Sequence, residues 1–431
     1  MARLVIQNGR VIDPSQSLDD YVNLVVEDGK VAALGAAAGP TDEVWDASGK
    51  LVVPGLIDLH AELREPGFEE DETIATGTAA ALRGGFATIA CLPNTDPPID
   101  SQASVEFVHH QANRAGNCNV VVLACVSKNR EGHQLAEIGS LVKAGAVGFT
   151  DASAPIHNAE LMRRALDYCQ MFDRPVMNHP EVLELTRGGI MHDGSTAMIL
   201  GLAGLPPAAE DVMASRDLRL AEATGGRLHL MNISSEGNVD LLRRVKSRGV
   251  TVTADINVAN FTLTDEVLRS FDTNCKLNPP LRSRRHVQAC IEAIADGTID
   301  AIASGHTPRA VEKKMRDLSE APFGMVALET ALSLVVSYLV EPEYLNWSQV
   351  VERMSAAPAR ILGLRTKGTL QVGADADITV IDPELQWKVD RQHLHSRSFN
   401  SPFLGQTLKG RAVAVFVAGL VKYIDRDQWP S

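Results

Sequence analysis

The sequence is poor in cysteine and aromatic residues, and it has no apolar run long enough to cross a membrane. Its six cysteines include no C-x-x-C pair, which argues against a thiolate zinc site or a disulfide framework. The apolar stretch 326–340 is interrupted by Glu329 and is too short to span a bilayer. The N-terminus also lacks the apolar core of a signal peptide. We therefore expect a soluble protein of the reducing cytoplasm.

Basic residues are outnumbered by acidic ones. The chain has 41 Lys and Arg residues against 54 Asp and Glu residues, and its formal net charge is −13. Such a charge repels phosphate backbones and anionic membrane surfaces. The composition therefore predicts neither a nucleic-acid partner nor a membrane partner.

The length of 431 residues and the hydrophobic content of 45% suit one barrel-sized domain with a smaller satellite. Residues 1–53 and 367–431 contain short alternating strands and turns, so we expect both ends to build one β-rich satellite domain. Residues 54–366 contain about eight apolar β-like runs that alternate with helical stretches. This order predicts an α/β fold of the (β/α)8 TIM-barrel type.

In such barrels the functional side chains lie just after the carboxyl ends of the strands. The polar or glycine positions that follow the apolar runs are His60, Asn94, Asp151, His179, Asn232, Asn260 and Gly305. We expect these positions to face one common mouth of the barrel.

The segment PGLIDLHAELREPG resembles the first-strand motif of dihydroorotases, P-G-x-x-D-x-H-x-H-L-R-E-P-G, and departs from it at Glu62. Further similar segments follow in the same order, among them GGFATIACLPNTDPPID, KLNPPLRS and DGTIDAIASGHTP. The chain is thereby identified as a member of the dihydroorotases with an aspartate metal bridge, in the amidohydrolase superfamily. The resemblance implies a metal-dependent-hydrolase barrel that opens a cyclic amide in pyrimidine biosynthesis.

The resemblance also assigns the two-metal site to six positions of this sequence: His60, Glu62, Asp151, His179, Asn232 and Gly305. Three of them, His60, Asp151 and His179, keep the residue type of the family. Glu62 replaces a histidine but can still bind zinc through oxygen. Asn232 replaces another histidine, and a neutral amide is a poor zinc ligand.

Gly305 is the most consequential departure from the family pattern. It replaces the aspartate of the motif D-H-A-P-H, which in active relatives contacts a metal and moves the proton between hydroxide and leaving nitrogen. Such acid–base groups contribute about 10²- to 10⁴-fold to a rate. We therefore expect no intact catalytic residue, with Asn232 and Gly305 as lost ligand positions.

Some positions keep a binding role by resemblance. Arg64 and Asn94 match residues that hold the substrate carboxylate, and a guanidinium suits a bidentate contact with it. The four residues His60, Glu62, Asp151 and His179 make a plausible donor set for a single metal. The cofactor expectation is therefore one zinc ion or none, and not a two-metal centre.

Three functions remain open at this point. The first is a catalytically impaired or inactive dihydroorotase homologue that forms homo-oligomers and serves as a structural partner of aspartate transcarbamoylase, as some bacterial relatives do. The second is an active zinc-dependent dihydroorotase or related cyclic amidase, acting on dihydroorotate or N-carbamoyl-L-aspartate with an atypical metal site. The third is a free-standing scaffold, like the cytoskeletal relatives of dihydropyrimidinase.

Overall fold

The computed structural model describes residues 3–429, so the first two and last two residues of the predicted satellite domain lie outside the described range. The N-terminal part is a series of short strands: β1 (Leu4–Gln7), β2 (Arg10–Asp13), β3 (Leu18–Tyr21), β4 (Leu24–Glu27), β5 (Lys30–Leu34), β6 (Glu43–Asp46) and β7 (Leu51–Pro54). The turn between β4 and β5 is made by Asp28 and Gly29, which both have positive φ. This conformation is the one that a tight hairpin requires.

The barrel region contributes the next ten strands: β8 (Leu56–Ala61), β9 (Phe86–Cys91), β10 (Asn119–Ala124), β11 (Ala146–Phe149), β12 (Val176–Asn178), β13 (Met191–His192), β14 (Gly204–Leu205), β15 (Leu228–Leu230), β16 (Val252–Asn257) and β17 (Ala301–Ala303). Eight of these form one parallel sheet in the order β17-β16-β15-β12-β11-β10-β9-β8. The backbone after β17 closes the sheet onto β8, because His306 donates to the carbonyl of His60 at 3.2 Å. Strands β13 and β14 form a separate parallel ribbon.

The C-terminal part adds the strands β18 (Ile378–Lys388), β19 (Thr407–Val417) and β20 (Leu420–Ile424). Strand β18 pairs antiparallel with β7, with Ile378 opposite Pro54, and the resulting six-stranded sheet has the order β20-β19-β18-β7-β2-β3. The remaining strands form a four-stranded sheet in the order β5-β4-β1-β6. Strands from both chain ends therefore share one sheet.

The α-helices follow and cover the barrel strands: α1 (Ile74–Gly84), α2 (Gln102–Ala115), α3 (Ile138–Ala144), α4 (Ala159–Gln170), α5 (Leu183–Thr186), α6 (Ser195–Leu200), α7 (Pro207–Thr224), α8 (Glu236–Lys246), α9 (Val258–Thr262), α10 (Arg284–Asp296), α11 (Val311–Lys314), α12 (Ala331–Val335), α13 (Trp347–Val351) and α14 (Ala357–Leu362). Capping boxes at Thr73 and Ser101 define the starts of α1 and α2, because their hydroxyls satisfy amides that the first turn leaves free. In the range 3–429, we find no helix with the length and apolarity to cross a membrane.

Apolar side chains from several strands pack inside the barrel. Ile57, Leu59, Leu123, Met177 and Met231 all belong to one buried cluster, as expected for a barrel that is packed rather than hollow. The (β/α)8 barrel and the β-rich sheets from the chain ends confirm the predicted fold class.

Candidate functional site

A cavity of about 240 Å³ opens at the carboxyl ends of the barrel strands. Its polar and charged lining consists of His60, Glu62, Ser153, His179, Asn232, Asn257, Asn260, Asn278, Thr307 and Arg309, with Gly305 in the wall. Five of the seven predicted strand-end positions line it, namely His60, His179, Asn232, Asn260 and Gly305. Asn94 and Asp151, although buried, lie outside this lining.

The end of β8 is anchored to the end of β17. Asp58 accepts hydrogen bonds from the amide and the hydroxyl of Ser304, at 2.6 and 2.7 Å. Burial raises the pKa of Asp58 to about 6 in spite of these bonds, as desolvation does for a carboxyl group. This contact fixes where His60 and Glu62 enter the mouth.

Glu62 forms a buried ion pair with Arg64. Arg64 has a φ of +61°, a left-handed conformation that folds the chain back and brings the guanidinium to the carboxylate. Burial opposes ionisation of Glu62, but Arg64, His60 and Arg309 together outweigh it, and the pKa of Glu62 is lowered. The guanidinium that the resemblance assigns to the substrate carboxylate is thus paired within the protein, and Arg64 does not line the cavity.

Asn232 connects the two histidines of the mouth. Its Oδ1 lies 2.9 Å from Nδ1 of His60, and its Nδ2 lies 3.5 Å from Nδ1 of His179. Since an amide oxygen only accepts, His60 carries its proton on Nδ1. His179 Nδ1 accepts in turn, and its Nε2 lies 3.4 Å from Glu181. Position 232, where a lost ligand was expected, therefore carries an amide that hydrogen-bonds to both flanking imidazoles.

Glu181 and His60 both have shifted pKa values. Burial opposes ionisation of Glu181, but its contact with His179 and the hydrogen bonds from Thr186 and Asn278 outweigh it and bring its pKa to about 2. Burial opposes the charged form of His60, whereas Glu62 favours it, and the pKa of His60 is raised. Ionisable groups at the mouth thus shift one another's pKa values, and most of the charges have a partner of opposite sign.

Asn232 is itself held by a buried network behind the strands. The carboxylate of Asp255 accepts a hydrogen bond from the backbone N–H of Asn232 at 2.6 Å. Its other oxygen lies 2.9 Å from Nε2 of His229. His229 and His306 both face away from the cavity, and His306 contacts Glu72 at 3.3 Å. Neither histidine takes the place of a lost ligand, as the alternation of side chains along a strand predicts.

Asp151, the expected metal bridge, is bound by the loop after β10. Its carboxylate accepts the amides of Val126 and Ser127 at 2.9 and 3.1 Å, and the Ser127 hydroxyl at 2.5 Å. Burial raises the pKa of Asp151 in spite of these three bonds. The structure thus does not bring Asp151 into the cavity with His60, Glu62 and His179.

Gly305 has a φ of +69°. A side-chain carbon placed on it would lie 2.6 Å from Cγ and 2.9 Å from Cβ of Asn257. Asn257 is the last residue of β16, and it occupies the space that a side chain at position 305 would need. Sequence reasoning missed this residue; the signal available was its position at the end of an apolar strand.

The donor set does not fit a catalytic metal. A catalytic zinc ion takes three protein ligands, and nowhere in residues 3–429 do three or more His, Cys, Asp or Glu side chains stand together in such an arrangement. In the cavity, Nε2 of His60 lies 3.9 Å from Oε1 of Glu62. The chemistry of this mouth is consequently that of amides, two imidazoles and paired charges.

Comparisons with known proteins agree with this architecture. Residues 320–423 match the family described as "Amidohydrolase family". The fold is similar to that of the L-hydantoinase (dihydropyrimidinase) from Arthrobacter aurescens, with a TM-score of 0.89 and 25% identity over 98% of this chain and 96% of that chain. It also resembles a dihydropyrimidinase from Brevibacillus agri, with a TM-score of 0.85 and 23% identity over 98% and 95% of the two chains. The barrel is thus of the amidohydrolase class.

Sequence relatives identify the family within the amidohydrolase class. Residues 49–238 match the family described as "Dihydro-orotase-like". A putative dihydroorotase from Rhodopirellula baltica is 50% identical over 97% of this chain and 92% of its own length. A dihydroorotase from Pelotomaculum thermopropionicum is 48% identical over 98% and 99% of the two chains. The chain belongs to the dihydroorotase-like family.

Proposed function

We propose that this protein is a dihydroorotase homologue of pyrimidine biosynthesis that does not hydrolyse dihydroorotate and acts as a structural partner of another enzyme. The observation that carries the proposal is Gly305 packed against Asn257. The resemblance gives this position to the proton-shuttling aspartate, and here the position has neither a side chain nor space for one. Loss of such a group costs about 10²- to 10⁴-fold in rate.

The surrounding residues support the same conclusion. A water molecule becomes a nucleophile at neutral pH when a metal lowers its pKa, and the donor set at this mouth does not fit one. Glu62 is neutralised by Arg64, and Asp151 is bound by Ser127. The ring-opening reaction therefore lacks both its nucleophile and its acid–base group.

The test is an assay of dihydroorotate hydrolysis together with metal analysis of protein purified without added zinc. The dihydroorotase of Pelotomaculum thermopropionicum, prepared in parallel, is the positive control. We expect turnover at least about 10³-fold below that of the control, with and without added zinc, and less than one metal ion bound per two chains. Turnover near that of the control, in fractions free of host dihydroorotase, would overturn the proposal.

The second candidate function is an active zinc-dependent dihydroorotase or related cyclic amidase with an atypical site. Its support is the level of identity to relatives that carry the name dihydroorotase, 48% over nearly the whole chain, together with the pair of His60 and Glu62 at the cavity. The same assay distinguishes the two candidates. A zinc-dependent turnover that is lost in His60→Ala would favour the second.

For the partner we propose aspartate transcarbamoylase, and we propose that the chain forms homo-oligomers within that complex. The support is the resemblance to non-catalytic relatives, together with a barrel that retains its architecture although its mouth lacks the hydrolytic groups. A permanent complex should bury about 1,200 Å² or more in total. Co-expression with the cognate transcarbamoylase and size-exclusion chromatography test it. Co-elution is expected, and separate elution at micromolar concentration would remove this partner.

A further inference from the structure

A second cavity, of about 610 Å³, lies between helix α1 and the C-terminal strands. Its lining shares no residue with that of the cavity at the barrel mouth. Arg83 enters it from the last turn of α1, Arg411 from β19 and Tyr423 from β20. The volume lies within the range of sites that hold small organic ligands. The cavity is therefore large enough for a metabolite and not only for a single ion.

The inner part of this second cavity is built from hydrogen-bond donors. The side chains of Arg83 and Arg411 are only 12% and 9% exposed. Each guanidinium carries five N–H groups, and both donate to the hydroxyl of Tyr423, at 3.2 and 2.6 Å. Nε of Arg83 has no hydrogen-bond partner in residues 3–429, and within that range the hydroxyl proton of Tyr423 has no acceptor. Because buried donors are nearly always paired, these groups indicate a ligand that supplies acceptors.

Acidic side chains balance the two guanidiniums only in part. Nε of Arg83 lies 3.4 Å from Oε1 of Glu329, but the same carboxylate accepts the backbone N–H of His395 at 2.9 and 3.0 Å. Nη2 of Arg411 lies 3.3 Å from Asp425. Burial and the nearby charge of Arg411 lower the pKa of Arg83. The two guanidiniums therefore still repel each other, and a bound anion would relieve that repulsion.

The rim of the second cavity carries charges of both signs. Its ionisable side chains are Lys388, Asp390, His393, His395, Arg426 and Asp427. In the whole lining, four Lys and Arg side chains stand against three Asp side chains, whereas acidic residues outnumber basic ones in the chain. The cavity is thus more basic than the rest of the protein, and its charge favours an anionic ligand over a cation.

We propose that the second cavity is a binding site for a small organic phosphate, whose phosphate monoester accepts hydrogen bonds from Arg83, Arg411 and Tyr423. A phosphate presents three oxygens in different directions and so can accept from three separate side chains. A planar carboxylate, in contrast, is matched by the fork of a single guanidinium. The remaining volume accommodates the organic part of the ligand. Because this site is separate from the barrel mouth, the inference does not depend on whether the chain hydrolyses dihydroorotate.

The experiment uses three probes: ribose 5-phosphate, ribose and inorganic phosphate. Binding to the full chain is measured by isothermal titration calorimetry at about pH 7.5, where a phosphate monoester is mostly doubly charged. We expect ribose 5-phosphate to bind with a Kd below about 1 mM, at least about tenfold lower than that of inorganic phosphate. Ribose, which lacks the phosphate, should show no binding at the same concentrations.

Variants of the chain place the phosphate at this cavity. Arg83→Gln should weaken the binding of ribose 5-phosphate at least about tenfold, because it removes a charged donor. Tyr423→Phe should weaken it about threefold or more, because it removes only the hydroxyl. The matched control is Arg163→Gln, which removes the same charge from an exposed arginine of α4 that pairs with Glu160 and should leave the Kd unchanged. Thermal unfolding reports whether each variant folds, and Arg83→Lys replaces Arg83→Gln if the latter does not.

The inference would be overturned if ribose 5-phosphate failed to bind at about 10 mM, or if ribose bound equally well. Inorganic phosphate binding as tightly as ribose 5-phosphate would exclude an organic phosphate site. A loss of affinity in Arg163→Gln equal to that in Arg83→Gln would show a general effect of net charge. Unchanged affinity in both Arg83→Gln and Tyr423→Phe would place the phosphate elsewhere on the molecule. Each of these results contradicts the proposed site.

Discussion

The two sides of the cavity at the barrel mouth differ at Asn232 and Gly305, the two positions expected to have lost the family's ligands. On one side, which we call the histidine wall, His60, Asn232 and His179 hydrogen-bond to one another. On the other side, the glycine wall, the side-chain oxygen of Asn257 has no hydrogen-bond partner among residues 3–429, and Gly305 has no side chain. The side chains of the histidine wall hydrogen-bond to one another, whereas in the glycine wall Asn257 fills the space next to Gly305. The first position is thus held by hydrogen bonding and the second by packing.

This difference predicts that placing the family's aspartate at position 305 destabilises the protein more than any change on the histidine wall. Gly305→Asp places a side chain 2.6 Å from Asn257 and requires a non-glycine residue at a φ of +69°. Overpacking and backbone strain each cost roughly 1–3 kcal/mol. We expect a loss of about 4 kcal/mol in the free energy of unfolding by urea, and no gain of dihydroorotate hydrolysis.

The matched control for this change is the double variant Gly305→Asp with Asn257→Gly, which removes the steric conflict. It should recover at least about half of the lost stability, because only the backbone strain remains. If Gly305→Asp alone were as stable as the parent, Asn257 would not close this wall. Hydrolysis regained by the single change would show that a complete metal site is already present.

The second largest effect is expected on the histidine wall. Asn232→Ala leaves Nδ1 of both His60 and His179 without the amide, and it places alanine at a φ of +59°. Unsatisfied buried groups cost about 1–3 kcal/mol each, so we expect a loss of about 3 kcal/mol in urea unfolding. Asn232→Gly separates the two causes, since it removes the amide without the backbone strain. Equal stability of Asn232→Ala and the parent would mean that the amide does not connect the histidines.

Part of this comparison could be predicted from the sequence. In a parallel barrel the residues that follow the strands meet at one mouth. His60, His179, Asn232 and Gly305 could therefore be placed together from the sequence. The contacts of Asp151 could not be predicted in this way, since its partner Ser127 belongs to a loop whose path is set by packing. The pairing of Arg64 with Glu62 depends on a positive φ that an alternating strand pattern does not indicate. Asn257 was missed because the apolar run was taken to end at Asn260, three residues later.

The pH dependence of stability sharpens the comparison further, since the histidine wall continues into Glu181. The pKa of Glu181 is lowered to about 2 from an ordinary value of 4.5. The stabilisation from its ionised form is therefore fully present above about pH 4.5 and is lost as the pH falls towards 2. We expect Glu181→Gln to lower stability by on the order of 1–2 kcal/mol at pH 6. The difference from the parent should shrink between pH 4.5 and 3, as measured by urea unfolding at each pH. A difference that grows on acidification would contradict the lowered pKa.

The smallest effect is expected for Asn257→Ala, and it is the counterpart of Asn232→Ala on the opposite wall. Both changes truncate a buried asparagine at the same cavity, but Asn257 Oδ1 makes no hydrogen bond within residues 3–429, so its removal also removes a desolvated acceptor. The lost packing around the amide offsets this gain, and we expect a change within about 1 kcal/mol in either direction. The free energies of unfolding of both variants are measured with urea in one buffer. They can be compared directly when the two m-values are equal. If Asn257→Ala costs as much as Asn232→Ala, the asparagine of the glycine wall has a partner that pairs it as firmly as the two histidines pair Asn232. The contrast between a hydrogen-bonded wall and a sterically closed wall would then not hold.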